Sequence, residues 1–465
     1  MVKQMKNIFY ASECGAKLNS NVISGGGDDD TEAIQKILNK AQELGSLHLI
    51  IDGAALVSGL TVYSNTTIEC TNQSNGFFLK DHSNKPIIIN SNPNNFSIQN
   101  ENISILGGTY NGNNLNQDRL RYDDDNTLTD VLSECIEKSN TTVPKMVMII
   151  QLIGVKNVIV RDVILKDQRR WAFLCCNFKN VTMENILIDL EHHMQNENQD
   201  GLHFWGPGEY LTLKNIQGRT GDDFIALAPD EGDWKSSITD VLIDGVILHD
   251  ADQGIRLLSR NTGSLDRILI KNVIGTYKSF GFYVNNWFPD SPGGNFGSII
   301  FENINLVATK PNYDYTDPVL FQFGGKIQQL ILRNINVNKC DNRSILKFGY
   351  MFYMNREYNP NEGRRKDCSK MKCILIDGLH IEEKSSNELL YPAIDITNPI
   401  ENLIIRNCEF IRCKDSDIGG CFINLDKEAE IDNLSLNNIN LYNVENDILI
   451  KNGCVHNTKI SALNK

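Results

Sequence analysis

The sequence lacks most of the features that tie a chain to a membrane, a metal or a nucleic acid. No apolar run approaches the roughly 18 residues of a bilayer span. The opening MVKQMKNIFYASECGAK is basic but has no apolar signal-peptide core. Together these set the expectation of a cytoplasmic protein with no membrane partner. Positive charge is also short. Lys+Arg 45 against Asp+Glu 58 leave a net −13, which argues against nucleic acid or an anionic surface as the main partner. The 12 cysteines form no CxxC, and the closest spacings are Cys368/Cys373 and Cys408/Cys413. They read as buried, reduced thiols rather than zinc ligands or disulfides. No metal and no cofactor is expected.

What is present is ample apolar content, 41 %, with 22 % charged residues, as in a well-folded chain. Near the start, GGGDDDTEAIQKILNKAQELG carries one helix. Asp30 or Thr31 can cap it. Ala33, Ile34, Ile37, Leu38 and Ala41 fall at helical spacing, and Gly45 ends it. It reads as an apolar plug closing one end of a core.

From about residue 47 the pattern turns to short β-runs in a register. The similar pieces are VRDVIL, MENILI, LKNIQG, IDGVIL, IKNVIG, FENINL, LRNINV, IDGLHI, IRNCEF and LNNINL. Their anchors are Asp162, Asn185, Asn215, Gly245, Asn272, Asn303, Asn334, Gly378, Asn407 and Asn438. These are separated by 23, 30, 30, 27, 31, 31, 44, 29 and 31 residues. A period near 30 with several short strands per unit defines a solenoid, in which stacked neighbours bury what one unit cannot. The recurring Asn suits a left-handed turn and can stack in ladders. Three stretches break the rhythm, at about 113–145, 286–297 and 350–372. Insertions in solenoids commonly wall a binding cleft. No linker divides the chain, so residues 1–465 are expected to form a single domain.

One stretch concentrates the chemistry: NQDGLHFWGPGEYLTLKNIQGRTGDDFIAL, Asn198 to Leu227. Asp200, Asp222 and Asp223 each sit in a Gly-flanked group that leads into a short apolar run. Stacked repeats would bring them onto one surface, where like charges raise one pKa. Strand alternation points His203, Ala226 and Arg256 outward, with Asp200, Asp223 and Gln253 in the adjacent column. His203 is then a ligand contact or a structural hydrogen bonder. Arg256 either supplies positive charge to a substrate or neutralises the Asp cluster. Trp205, Trp234, Trp287, Phe288 and Tyr283 gather at the ends of these coils, with Trp171 one coil below, as platforms for sugar rings. His192 and His193 read as solvated turn residues. Calcium bridging by the three Asp is the bland alternative, and it would need six to eight oxygens.

Taken together, these features resemble the right-handed parallel β-helix proteins of the polygalacturonase family, glycoside hydrolase family 28. GAK…DDDTEAIQKIL is similar to that family's opening segment. WAFLCCNFKNVTMENILI is similar to its coil before the active site. NQDG is similar to its NTDG, and TGDDFIAL to its TGDDCIAI. The fold implied is an all-β, single-stranded right-handed parallel β-helix with an N-terminal capping helix. The resemblance implies that Asp222 is the general acid and that Asp200 and Asp223 hold the attacking water. Two family motifs are changed. Gln253 stands where a GHG histidine would be. Tyr283 and Asn285 stand where an Arg and a Lys recognise galacturonate. The specificity is therefore expected to differ.

Glycoside hydrolysis needs one carboxyl to protonate the leaving oxygen and another to activate water. A coil spacing of about 4.8 Å would by itself read as retaining, whereas the resemblance implies inversion. The expected activity is a glycosidase acting from the end of a small oligosaccharide. Catalysis falls to Asp200, Asp222 and Asp223. Contacts to substrate fall to His203, Gln253, Arg256, Tyr283, Asn285, Trp205 and Trp287. Two other classes stand beside it: another β-helix carbohydrate enzyme (a fructan or disaccharide transferase, a lyase or an epimerase), and a non-catalytic sugar-binding rod. The only partner expected is the oligosaccharide, and a homo-oligomer is compatible with the sequence.

Overall fold

Ten anchor residues explain how the chain turns. Asp162, Asn185, Asn215, Gly245, Asn272, Asn303, Asn334, Gly378, Asn407 and Asn438 all adopt positive φ, between 52° and 82°. In this region Gly is unstrained and Asn and Asp are the best-tolerated other residues. The bend between two strands of each coil is therefore written into the residue type. The Asn side chains also bond along the stack. Asn303 donates to Asn272 over 31 residues at 3.0 Å, and Asn334 to Asn303 at 3.2 Å. Where glycine interrupts the ladder, the preceding aspartate supplies the acceptor: Asn272 donates to Asp244 and Asn407 to Asp377.

The computed structural model describes residues 7–118, 148–194, 197–231, 236–259, 263–285, 294–309, 319–340, 345–349, 369–383, 392–412, 422–443 and 449–464. The three insertions fall largely outside these residues, as do Trp234, Trp287, Phe288, Cys368 and Cys413. All described strand pairings between coils are parallel. About 65 % of the described residues are in strands, and the fold is the expected right-handed parallel β-helix, the usual hand of parallel crossovers.

Contacts divide the chain into two compact units. The first comprises 1–226 and 231–233. Its core is a column in register, Leu49, Ile68, Ile105, Val160, Met183 and Leu213, each essentially inaccessible to water. Every second residue of a strand points inward, so one slip of register would expose the whole set. The second unit comprises 227–230 and 234–465. Its column runs Ile243, Ile270, Phe301, Leu332, Ile376, Ile405 and Leu436. Beside it Phe282, Phe321, Phe323 and Phe348 stack, with centroids 4.6, 5.4 and 5.2 Å apart.

The N-terminal helix is shorter than the periodicity predicts. Thr31–Asn39 is helical, Lys40 interrupts it, and Ala41–Leu44 forms a second turn that ends at Gly45 in the left-handed region. Ile34, Ile37 and Leu38 are buried, as a plug requires. Asp30 sits at the N-cap position, but its carboxylate does not cap the helix. It accepts instead from the backbone N–H groups of Lys17 and Leu18, tying down the preceding loop. Among the described residues no helix is long and apolar enough to cross a membrane. Cys70, Cys175 and Cys408 are buried and unbridged, and burial pushes the Cys70 thiol up to about 12.

Candidate active site

Three successive segments of the first unit build the site. The first, Gln168 to Trp171, leads into strand Phe173–Asp189. The second, Glu197 to Gly201, leads into strand Leu202–Arg219. The third, Thr220 to Asp222, leads into strand Asp223–Ala228. Strand pairing sets Phe173 beside Leu202 and Leu174 beside His203. The Ala172 N–H donates to Asp200 O, and the Gly201 N–H donates to Asp223 O at 2.9 Å. Asp200 and Asp223 therefore sit on adjacent coils, 3 % and 2 % exposed, while Asp222 is half-buried. The glycines follow from this closeness. A Cβ on Gly201 would collide with the Phe224 carbonyl oxygen, and one on Gly221 with the His193 ring.

Each carboxylate has its own support. The Asn198 amide donates to Asp222 Oδ2 at 2.8 Å. Arg170 donates to the other end of that amide, Asn198 Oδ1, at 3.0 Å, which fixes which end is the donor. Arg169 and Arg170 pair with Glu197 at 3.2 and 3.7 Å. Gln168 Nε2 donates to the backbone oxygen of Asp200 at 3.1 Å. Asp200 Oδ2 faces His203 Nδ1 at 2.7 Å. Its Oδ1 is buried with no hydrogen-bond partner. Burial, then the nearby Asp223 and Glu231 charges, raise the Asp200 carboxyl to about 6 against the pull of His203. Thus Asp200 itself is an elevated carboxyl, where the sequence directs attention to Asp222 and Asp223.

His203 and Trp205 differ from their expected exposure. His203 is 4 % exposed and stacks flat on Trp171, centroids 3.6 Å apart at 8°. Its Nε2 faces Glu231 Oε2 at 2.8 Å. Trp205 is 3 % exposed; its indole N–H donates to the same Glu231 oxygen at 2.9 Å, and its ring meets Trp171 edge-on. Their outward strand positions are covered, so both are hydrogen bonders inside the wall rather than open platforms. Desolvation opposes charge on His203, but Glu231 and Asp200 outweigh it and raise the imidazole to about 9.

His192 is likewise not simply solvated. Its Nδ1 faces Asp167 Oδ2 at 3.0 Å. Asp167, Glu191 and His192 could approach a metal ion together. The Lys166 ammonium already lies among these acids, 2.9 Å from Asp189 and 2.7 Å from Glu191.

The second unit holds the other predicted contacts. Gln253, Arg256, Tyr283 and Asn285 are all buried. Arg256 pairs in register with Tyr283, and its guanidinium lies over that ring at 5.3 Å. Trp287 lies outside the described residues.

Sequence reasoning missed Arg169, Arg170, Asn198 and Glu231. Arg169 and Arg170 sit in DQRRW just before a buried strand, where two adjacent cations stand out. Glu231 follows its strand by a few residues in APDEGD and has no periodic signal.

The structure is thus a parallel β-helix with buried carboxylates at the start of adjacent coils. Residues 58–245 match the family model of glycosyl hydrolases family 28, which bears out the resemblance over that stretch. A polygalacturonase of Persea americana is 22 % identical over 303 residues, 57 % of this chain and 60 % of that relative. One of Gossypium barbadense is 27 % identical over 33 % of this chain and 35 % of its own. The chain thus spans at most 60 % of these curated relatives. Among solved structures, the Yersinia enterocolitica family 28 exopolygalacturonase superposes with a TM-score of 0.55. It is 13 % identical, over 98 % of this chain and 78 % of that one. The pre-mature bacteriophage phi29 gene product 12 gives 0.54 at 14 % identity, over 97 % and 55 %. So varied a pair carries the fold alone, and function has to be argued from the site.

Proposed function

We propose that the protein is a glycoside hydrolase that removes sugars from the end of a short oligosaccharide by an inverting, three-carboxylate mechanism. The observation that carries this reading is the juxtaposition of Asp200 and Asp223 on adjacent coils, joined through the Gly201 N–H to Asp223 O bond. Asp222 stands beside them, its carboxyl oriented by Asn198. In the proposed reaction Asp222 gives its proton to the glycosidic oxygen as the C–O bond breaks. Water attacks the anomeric carbon from the opposite face and loses its proton to Asp200, with Asp223 also holding that water. A carboxyl near 6 fits a base that must be ionised at neutral pH yet accept a proton readily.

The match to the family 28 model and the polygalacturonase relatives supports the reaction class. Gln253, Tyr283 and Asn285 are proposed to shift the specificity away from galacturonate, because they offer amide and hydroxyl groups in place of fixed cations. The end-on mode rests on the three insertions read from the sequence, because insertions in solenoids commonly wall a cleft.

The test uses purified protein on trigalacturonic acid and a panel of neutral trisaccharides, with products read by mass and by anomeric configuration. Asp222→Asn should cut kcat by about 10² or more, the range of general acid catalysis, with the fold intact by circular dichroism. Unaltered turnover in that variant removes Asp222 from the mechanism. Product retaining the substrate's anomeric configuration overturns inversion.

A further inference from the structure

We infer that His203, clamped by Glu231, is a positioning residue that keeps Asp200 ionised and aims its Oδ1 at the attacking water. This rests on the hydrolase reading of the same site.

The argument begins with hydrogen counts. Both ring nitrogens of His203 face carboxylate oxygens, Asp200 Oδ2 at 2.7 Å and Glu231 Oε2 at 2.8 Å. Ionised carboxylates only accept, so with both acids ionised both nitrogens carry hydrogen and the ring is an imidazolium. A neutral imidazole would set a lone pair against one of the anions. Glu231 is held in turn by the Trp205 indole N–H on the same oxygen. The ring cannot tip, because Trp171 stacks on its face and Trp205 stands edge-on to it. The imidazole raised to about 9 agrees with this geometry.

The second observation is the orphan oxygen. Asp200 is 3 % exposed, and its Oδ1 is buried without a partner. Leaving a buried acceptor unpaired costs about 1–3 kcal/mol. A carboxylate with a purely structural role would turn that oxygen to a donor. Here His203 holds the opposite oxygen, so Oδ1 is left for a group that arrives with the reaction.

Among the described residues of this unit, the charged groups facing Asp200 are His203 on its own strand, Asp223 on the next and Glu231 beyond it. The preceding coil contributes Trp171, Leu174 and the Gln168 amide, with the cations Arg169 and Arg170 beside them engaged on Glu197 and Asn198. The imidazolium is thus the cation in direct contact with Asp200. In the step itself, a water lone pair forms the new bond to the anomeric carbon. The glycosidic bonding pair leaves with the departing oxygen, which takes the Asp222 proton. The water proton passes to Asp200 Oδ1. His203 transfers no proton; it holds the acceptor in its basic form.

The decisive variants are Glu231→Gln, which keeps an oxygen for both N–H donors but removes the charge, and His203→Gln, which keeps a donor without a cation. For Glu231→Gln the acid limb of the kcat/KM profile on the panel above should move to lower pH by up to about one unit, because the charge that raises Asp200 is gone, with KM nearly unchanged. For His203→Gln, which removes the cation that lowers Asp200, the limb should instead move to higher pH, and kcat should fall about 10²-fold. In parallel, nitrogen-15 NMR of the His203 ring should show both nitrogens protonated at pH 7 in the wild type. The Asp200→Asn and Glu231→Gln proteins should titrate at lower pH. A neutral ring at pH 7 overturns the proposal. An active enzyme whose His203→Gln acid limb does not move to higher pH overturns the positioning role alone. An intact imidazolium in a protein that hydrolyses none of the sugars overturns the hydrolase reading, and with it the role of Asp200 as base.

Discussion

At the scale of the residue, the site couples protonation to stability. His203 is raised in the folded chain, so its contribution is fully present below the unfolded value near 6.5 and is lost as pH rises through about 9. Asp200 is also raised, so its contribution is present below 3.8 and has gone by about 6. Both terms decline as pH increases. Between pH 6.5 and 9 the unfolding free energy should fall by at most about 1.4 kcal/mol per pH unit from this imidazole. Urea denaturation of wild type and His203→Gln across that window checks it: the variant's curve should be flatter, and parallel slopes would remove the imidazolium from the account. The glycines give a second expectation at this scale. Gly201→Ala puts a methyl into the Phe224 carbonyl oxygen, backbone that cannot give way. A loss of about 2 kcal/mol or more, together with activity, is expected; a thermal melt within a degree or two of wild type would contradict it. The three aspartates were legible because they sit in two recurring tetrapeptides. Their supports were not. Arg170 reaches Asn198 across 28 residues and Glu231 reaches His203 across another 28, separations that no local pattern records.

At the scale of the element, the coils were legible because they repeat. Ten anchors read from spacing alone all lie in the left-handed region, and most bond to the anchor or its neighbour one coil away. The 44-residue step was also informative, since Leu332 and Ile376 pair in register across it. The helix was read less well, because periodicity registers its apolar face but not the break at Lys40 or the diversion of Asp30 to the loop. Which strand positions are covered was illegible for the same kind of reason. Alternation says His203 points outward and Trp205 reads as a platform at the end of its coil, but the cover comes from Trp171 on the preceding coil and Glu231 past the next strand. The ladder yields a prediction. Asn303 combines positive φ, 56°, with bonds to Asn272 and from Asn334. Asn303→Ala should lose about 2 kcal/mol, from left-handed strain and two broken bonds. Asn303→Gly, which relieves the strain, should lose less. Equal losses in chemical denaturation would show that the backbone term is negligible.

At the scale of the whole molecule, charge and insertions bear on which substrates reach the site. The chain carries a net −13, so a long acidic polymer meets repulsion at low salt. A short oligosaccharide carries few charges and pays little. The two basic positions that would offset this in a galacturonate site are Tyr283 and Asn285 here. Two further cations that an acidic sugar would suit, Arg356 and Arg364, lie in the 350–368 segment outside the described residues. If the insertions at about 113–145, 286–297 and 350–372 wall the cleft as proposed, they admit a chain end and exclude the middle of a polymer. The two arguments converge on one observable. With polygalacturonan as substrate, solution viscosity should stay nearly constant while reducing ends accumulate slowly, and trisaccharides should be turned over faster than polymer at equal concentration of ends. Raising salt to about 0.5 M should narrow that gap for acidic substrates only, because screening acts on charge and leaves the walls in place. Viscosity that collapses before reducing ends build up would mean mid-chain cleavage in an open groove, and both the end-on mode and the shifted specificity would fall together.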